Sequence, residues 1–83
     1  MNRYEPQGEI KMSQMPSLQR GISGKDVERL QGDLSRLGYE TEVNGVFDET
    51  TETAVKKFQQ DHNLTVDGIV GSQTGRQLGA TLA

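Results

Sequence analysis

The sequence predicts a small all-α domain, a three-helix bundle built around two similar Asx-Gly loop–helix repeats. Three observations lead there. A phrase running Asn44-Gly45-Val46-Phe47-Asp48-Glu49-Thr50-Thr51 returns 23 residues later as Asp67-Gly68-Ile69-Val70-Gly71-Ser72-Gln73-Thr74. Apolar residues elsewhere recur at spacings of three and four, the period of a buried helical face. The connections between periodic segments are short, which leaves room for little or no sheet. With 83 residues, one domain is expected.

Residues 1–16 carry Pro6, Gly8 and Pro16 without a sustained period and read as a flexible or extended N-terminal arm. The domain proper is expected over 17–83. Its first helix has Val27, Leu30, Leu34 and Leu37 on one face, with Ser23 as the N-cap and Asp26 three residues on. Gly38 supplies a left-handed stop, and Tyr39 is expected to fold back on the helix end. The second helix starts at Asp48, whose carboxylate can accept orphan amides. Its inner face is Thr51, Ala54, Val55 and Phe58, and Asn63 is the left-handed terminator. The third helix begins near Ser72 with Thr74, Leu78 and Leu82 inward. Gly75 and Gly79 weaken that helix by roughly 1 kcal/mol each relative to Ala, and are read as places where backbone comes close. In both turns Gly permits positive φ, and the Asx side chain folds over the turn.

Composition narrows the functions. Hydrophobic residues make up 31% of the chain, so the core is thin. There is no Cys, which removes disulfides, thiol nucleophiles and thiolate metal sites. A net charge of −3, pI about 5.0 and scattered Lys and Arg argue against nucleic acid and against anionic membrane surfaces. No stretch is apolar enough to span a bilayer, and the polar N-terminus lacks the apolar run of a signal peptide.

The ordered set Leu18, Gly21, Gly24, Asp26-Val27, Leu30-Gln31, Leu37-Gly38-Tyr39, Asn44-Gly45, Phe47, Thr51, Ala54-Val55, Phe58-Gln59, Leu64, Asp67-Gly68, Val70-Gly71, Thr74 and Leu78 resembles the type 1 peptidoglycan-binding domain. The likeness runs from about Pro16 to Leu82. Each motif alone is unspecific; their order over nearly the whole domain is specific. Asn44, Asp48 and Asn63 depart from residues more usual in that family (Asp, Gly and Gly), and all three tolerate turns or caps. The resemblance implies a PGBD-like fold and a wall-targeting module of cell-wall hydrolases that binds peptidoglycan without cutting it. It implies action at the bacterial cell wall, extracellular, periplasmic or virion-associated, alone or beside a partner hydrolase; the missing signal peptide suggests a route such as release at lysis or carriage on a phage particle. The arm over 1–16 would then dock to a virion protein or to that hydrolase. The alternative is a structural or protein-interaction module that keeps the fold without wall binding.

Catalysis fails on inventory. His62 is the only His, so a His-based metal cage is excluded and a Ser-His-Asp triad would have to use it; at a helix end beside Asn63 it is read as a capping or solvated residue, and no cofactor is expected. Asp48, Glu49 and Glu52 in the first turn of a helix are explained by its dipole. The segment from Asp61 lacks Gly at the sixth position and a carboxylate at the twelfth, so it is not a hand-type calcium loop. Thr51 and Thr74 are read as ties between repeat and loop, and Phe47 and Phe58 as core. Ligand contact would need exposed polar groups that donate and accept, beside a ring or apolar floor. Tyr39, Gln31, Asn44, Gln59 and Arg20 are the expected ligand-binding residues, with Arg20 meeting a peptide carboxylate.

Overall fold

The structure is a computed structural model that describes residues 17–83; the expected arm over 1–16 lies outside the described residues. Three helices follow in order: α1 (Lys25–Arg36), α2 (Glu49–Asp61) and α3 (Ser72–Leu82). Among the described residues, extended pairing is limited to two antiparallel bridges, Leu18 with Val70 and Ser23 with Val46. The lead segment thus touches both repeat loops. Leu18 exchanges two backbone hydrogen bonds with Val70, while Gly21 and Gly24 donate to Phe47 and Gly45.

The expected apolar faces meet in one core. Leu18, Val27, Leu30, Leu34, Phe47, Ala54, Val55, Phe58, Val70 and Leu78 are buried, and Ile22, Leu37, Tyr39 and Leu64 pack against them. Each Asx-Gly turn directs one following apolar residue inward, Phe47 in the first and Val70 in the second.

The start of α1 differs from the expected cap. Gly24, not Ser23, is the N-cap, and no side chain caps this end. The reason is tertiary. Ser23 is drawn into the bridge with Val46, and Gly24 donates to Gly45 at φ +136°, a conformation that L side chains rarely adopt.

The helix stops follow the sequence. After α1, Gly38 donates to the Ser35 carbonyl and Tyr39 to that of Leu34. After α2, Asn63 at φ +57° donates to Gln60 and Leu64 to Gln59. Both are Schellman ends, in which the left-handed residue turns the chain and an apolar residue follows onto the core. Tyr39 does more than cover its own helix. Its ring meets Phe58 edge-on at 5.8 Å, and its hydroxyl donates to Asp61 Oδ2 at 2.6 Å, so it bridges α1 to α2.

Candidate functional site

Two buried glutamines organise the repeat loops. Gln31 on α1 and Gln59 on α2 are fully buried. Gln31 Oε1 accepts the backbone N–H groups of Asn44 (2.9 Å) and Gly45 (2.8 Å). Its Nε2 faces Asn44 Oδ1, the Val46 carbonyl and Thr51 Oγ1 at 3.1, 2.9 and 2.9 Å. Gln59 repeats this one loop later. Oε1 accepts from Asp67 and Gly68, and Nε2 faces Asp67 Oδ1, the Ile69 carbonyl and Thr74 Oγ1. The amide orientation is forced, because backbone N–H groups only donate and carbonyls only accept.

The Asx side chains close the turns as expected. Asn44 Oδ1 accepts from Val46 N–H, and Asp67 Oδ1 from Ile69 N–H. The threonines are ties, as expected, but their hydroxyls bond side chains rather than loop backbone. Thr51 Oγ1 accepts from Gln31 and donates to Asp48 Oδ1.

These contacts correct the expected placement of two ligand-binding candidates. Gln31 and Gln59 do not lie at the edge of a groove; they are interior, and both amide ends are spent on the turns. Leu30 and Phe58 precede them on inward faces, but the turns fold over the glutamines and take them inside. Asn44, Tyr39 and Arg20 keep surface. Asn44 turns Nδ2 toward Glu42 at 3.5 Å, Tyr39 is half-buried, and Arg20 pairs with Glu52 at 3.3 Å in an exposed contact.

Two carboxyl groups are held below the usual carboxylate range. For Asp48 the main cause is the N–H of Thr51 in the N-cap of α2; for Asp67 it is the N–H of Ile69. Tyr39 is pushed up to about 12, first by burial and then by its hydrogen bond and proximity to the Asp61 carboxylate. Among the described residues no three His, Cys, Asp or Glu side chains gather to hold a metal ion. No helix among them is long and apolar enough to cross a membrane.

The open surface offers two shallow grooves. One, of about 260 Å³, is lined by Glu40, Glu49, Thr50, Thr53, Ala54 and Lys57. The other, of about 570 Å³, is lined by Leu64, Gln73, Arg76, Gln77 and Ala80. The sequence reading did not single out the second set. Three valines stand out at the loops, Val43, Val46 and Val66, each about half exposed.

Residues 23–78 match the family described as "Putative peptidoglycan binding domain". The spore cortex-lytic enzyme of Bacillus cereus is 44% identical over 62 residues, covering 74% of this chain and 24% of that enzyme. The crystal structure of the SleB N-terminal domain superimposes with a TM-score of 0.79 at 39% identity, covering 82% of this chain and 94% of that one. A Burkholderia AP3 phage endolysin gives a TM-score of 0.77 at 35% identity, covering 80% of this chain and 26% of the endolysin. The chain thus spans about a quarter of the length of the spore cortex-lytic enzyme it matches. With its three helices and its match over 23–78, the chain belongs to the peptidoglycan-binding domain family.

Proposed function

We propose that this chain binds peptidoglycan non-covalently and does not cleave it. The observation that carries the reading is the family match over 23–78 on a fold whose turns and core are complete. The side-chain inventory supports the non-catalytic part. The single His, His62, packs at a tilt against Phe58 with ring centroids 4.3 Å apart, and the carboxylates at the start of α2 serve the helix end. A shallow surface of this size binds weakly alone, so display in several copies or beside a hydrolase raises retention on the wall. Carriage on a phage particle or delivery with a partner hydrolase, with residues 1–16 as the docking element, completes the proposal. Tyr39, Asn44 and Arg20 are its surface candidates for contact with the wall.

The test is co-sedimentation of the purified chain with insoluble peptidoglycan, alongside Tyr39→Phe and Arg20→Gln. Saturable pelleting of the wild type is the expected result, and a wild type that stays in solution at high concentration rejects the reading. Loss of turbidity from isolated walls would reject its non-catalytic half. A second reading, a protein-interaction module, is favoured by the exposed Val43, Val46 and Val66. Under it, polar replacement of those valines abolishes partner binding and peptidoglycan does not compete.

A further inference from the structure

The two grooves are copies of one another. Thr50, Thr53, Ala54 and Lys57 of α2 correspond, by the same 23-residue shift that relates the turns, to Gln73, Arg76, Gln77 and Ala80 of α3. The chain leaving the preceding helix adds Glu40 to one and Leu64 to the other, and Glu49 of α2 lines the first alone. The repeat has therefore produced two equivalent clefts, and their chemistry has diverged. The first holds two carboxylates and one ammonium. The second holds one guanidinium, two primary amides and an aliphatic floor, with no acid among its lining residues.

Arg76 is exposed, and among the described residues the one ion pair joins Arg20 to Glu52, so no described carboxylate neutralises Arg76. Gln77 gives an amide N–H to Thr81 Oγ1 and keeps its carbonyl for another donor. Gln73 is exposed one turn away. A planar cation flanked by amides that both donate and accept, above Leu64 and Ala80, suits a short peptide ending in a carboxylate. An uncharged sugar would leave the guanidinium unused. The first cleft, with Glu40 and Glu49, repels the same group.

We propose that the cleft between Leu64 and α3 is the subsite for a peptide carboxylate, with Arg76 on the carboxylate, Gln73 and Gln77 on peptide amides, and Leu64 and Ala80 under an alkyl side chain. This rests on the peptidoglycan-binding reading and narrows it: the stem peptide, rather than the glycan, is the part recognised.

The probe is a disaccharide–tetrapeptide released from peptidoglycan by a muramidase, compared with the same compound after its carboxylates are converted to methylamides. Binding is followed by amide chemical shifts of the labelled full chain. Saturable shifts at Gln73, Arg76 and Gln77 are expected, with affinity about tenfold lower for Arg76→Gln and for the amidated probe, the range of one charge-assisted hydrogen-bonding partner. Arg76→Lys keeps the charge without the planar fork and falls between. Lys57→Gln in the opposite cleft binds as wild type. Equal affinity of Arg76→Gln and wild type, or shifts gathered at Glu49, Thr50 and Thr53, overturns the subsite. Pelleting with whole peptidoglycan separates the two levels. If wild type and Arg76→Gln pellet alike, only the subsite fails; if the wild type does not pellet, the peptidoglycan reading fails with it.

Discussion

The two loop–helix units share a glutamine, its hydrogen bonds and the Asx-Gly turn it holds, and differ in the helix cap and in the outer helix face. In the first unit the turn residue is neutral Asn44 and the helix cap is Asp48, which accepts from Thr51. In the second the turn residue is Asp67, and the cap is Gly71 with no side-chain bond. Of the turn and cap positions, each unit therefore has a carboxylate at one, and the one differs. The outer helix faces differ as well. Glu52 and Lys56 of α2 lie over Gly68, so close that a Cβ there would meet them at 3.0 and 3.1 Å. Their counterparts on α3 are Gly75 and Gly79, where a Cβ would meet nothing within 4 Å. The lesson is that the buried amide defines the unit, while capping, covering and groove chemistry vary around it.

The harshest way to break the comparison is to remove the amides. Gln31→Leu leaves the N–H groups of Asn44 and Gly45 without their acceptor, and Gln59→Leu does the same to Asp67 and Gly68. An unpaired donor costs about 1–3 kcal/mol when buried, and these are part-buried apart from that of Gly68, so either variant should lose about 2 kcal/mol or more. In a domain this small that approaches global unfolding. Urea titration followed by circular dichroism measures both. Costs differing by much more than about 1 kcal/mol would show that the two networks are not equivalent.

The next effect is a gain. Gly75 and Gly79 sit inside α3 with open space around them, so the expected close backbone approach is absent. Replacing both with Ala should stabilise by about 2 kcal/mol, from helix propensity alone. A thermal midpoint that fails to rise would mean that these glycines serve something other than the free fold. Transplanting the first unit's cap comes third. Gly71 has extended backbone, and a Cβ there would find Ser17 Oγ at an ordinary 3.8 Å. Gly71→Asp should let the new carboxylate accept from Thr74 N–H, stabilising by about 0.5–1 kcal/mol, partly through the less flexible unfolded chain. Chemical denaturation of the single variant checks it.

The smallest effect concerns pH. Asp48 and Asp67 are both lowered in the folded state, so their contribution is present above the ordinary carboxylate range and is lost as pH falls through the depressed values. Stability should therefore decline on the acid side. Asp67→Asn should leave neutral stability nearly unchanged, since an Asn Oδ1 accepts the same two bonds as Asn44 Oδ1 does, while removing part of that decline. At the alkaline end Tyr39 acts with the opposite sign. Its raised value, about 12, gives stability present below the ordinary phenol range near 10 and lost as pH rises toward the folded value. Melting midpoints across pH, with Tyr39→Phe for the alkaline limb, separate the two.

The repeat, the three helices, the Gly38 and Asn63 stops, the Asp48 cap and the inward faces were legible in the chain, except for Leu82, expected inward but outside the core. Each is set by local rules: a 3.6-residue period, left-handed residues, and short polar side chains beside free amides. The candidate site was legible only in part. Nothing local distinguishes a glutamine at the edge of an apolar face from one that a later turn will enclose. Arg76, Gln73 and Gln77 could have been found by applying the 23-residue shift to the outward faces of the helices, not only to the inward ones.

What the sequence by itself determined was the element list and the duplication, because periodicity and turn chemistry act over a few residues. What only the tertiary structure decided was where the polar atoms went. Gln31 reaches a turn 13 residues on and Gln59 one 8 residues on. Ser23 leaves its cap to bridge Val46. These outcomes follow from the need to satisfy every buried donor and acceptor at once, a condition imposed by the whole packed chain.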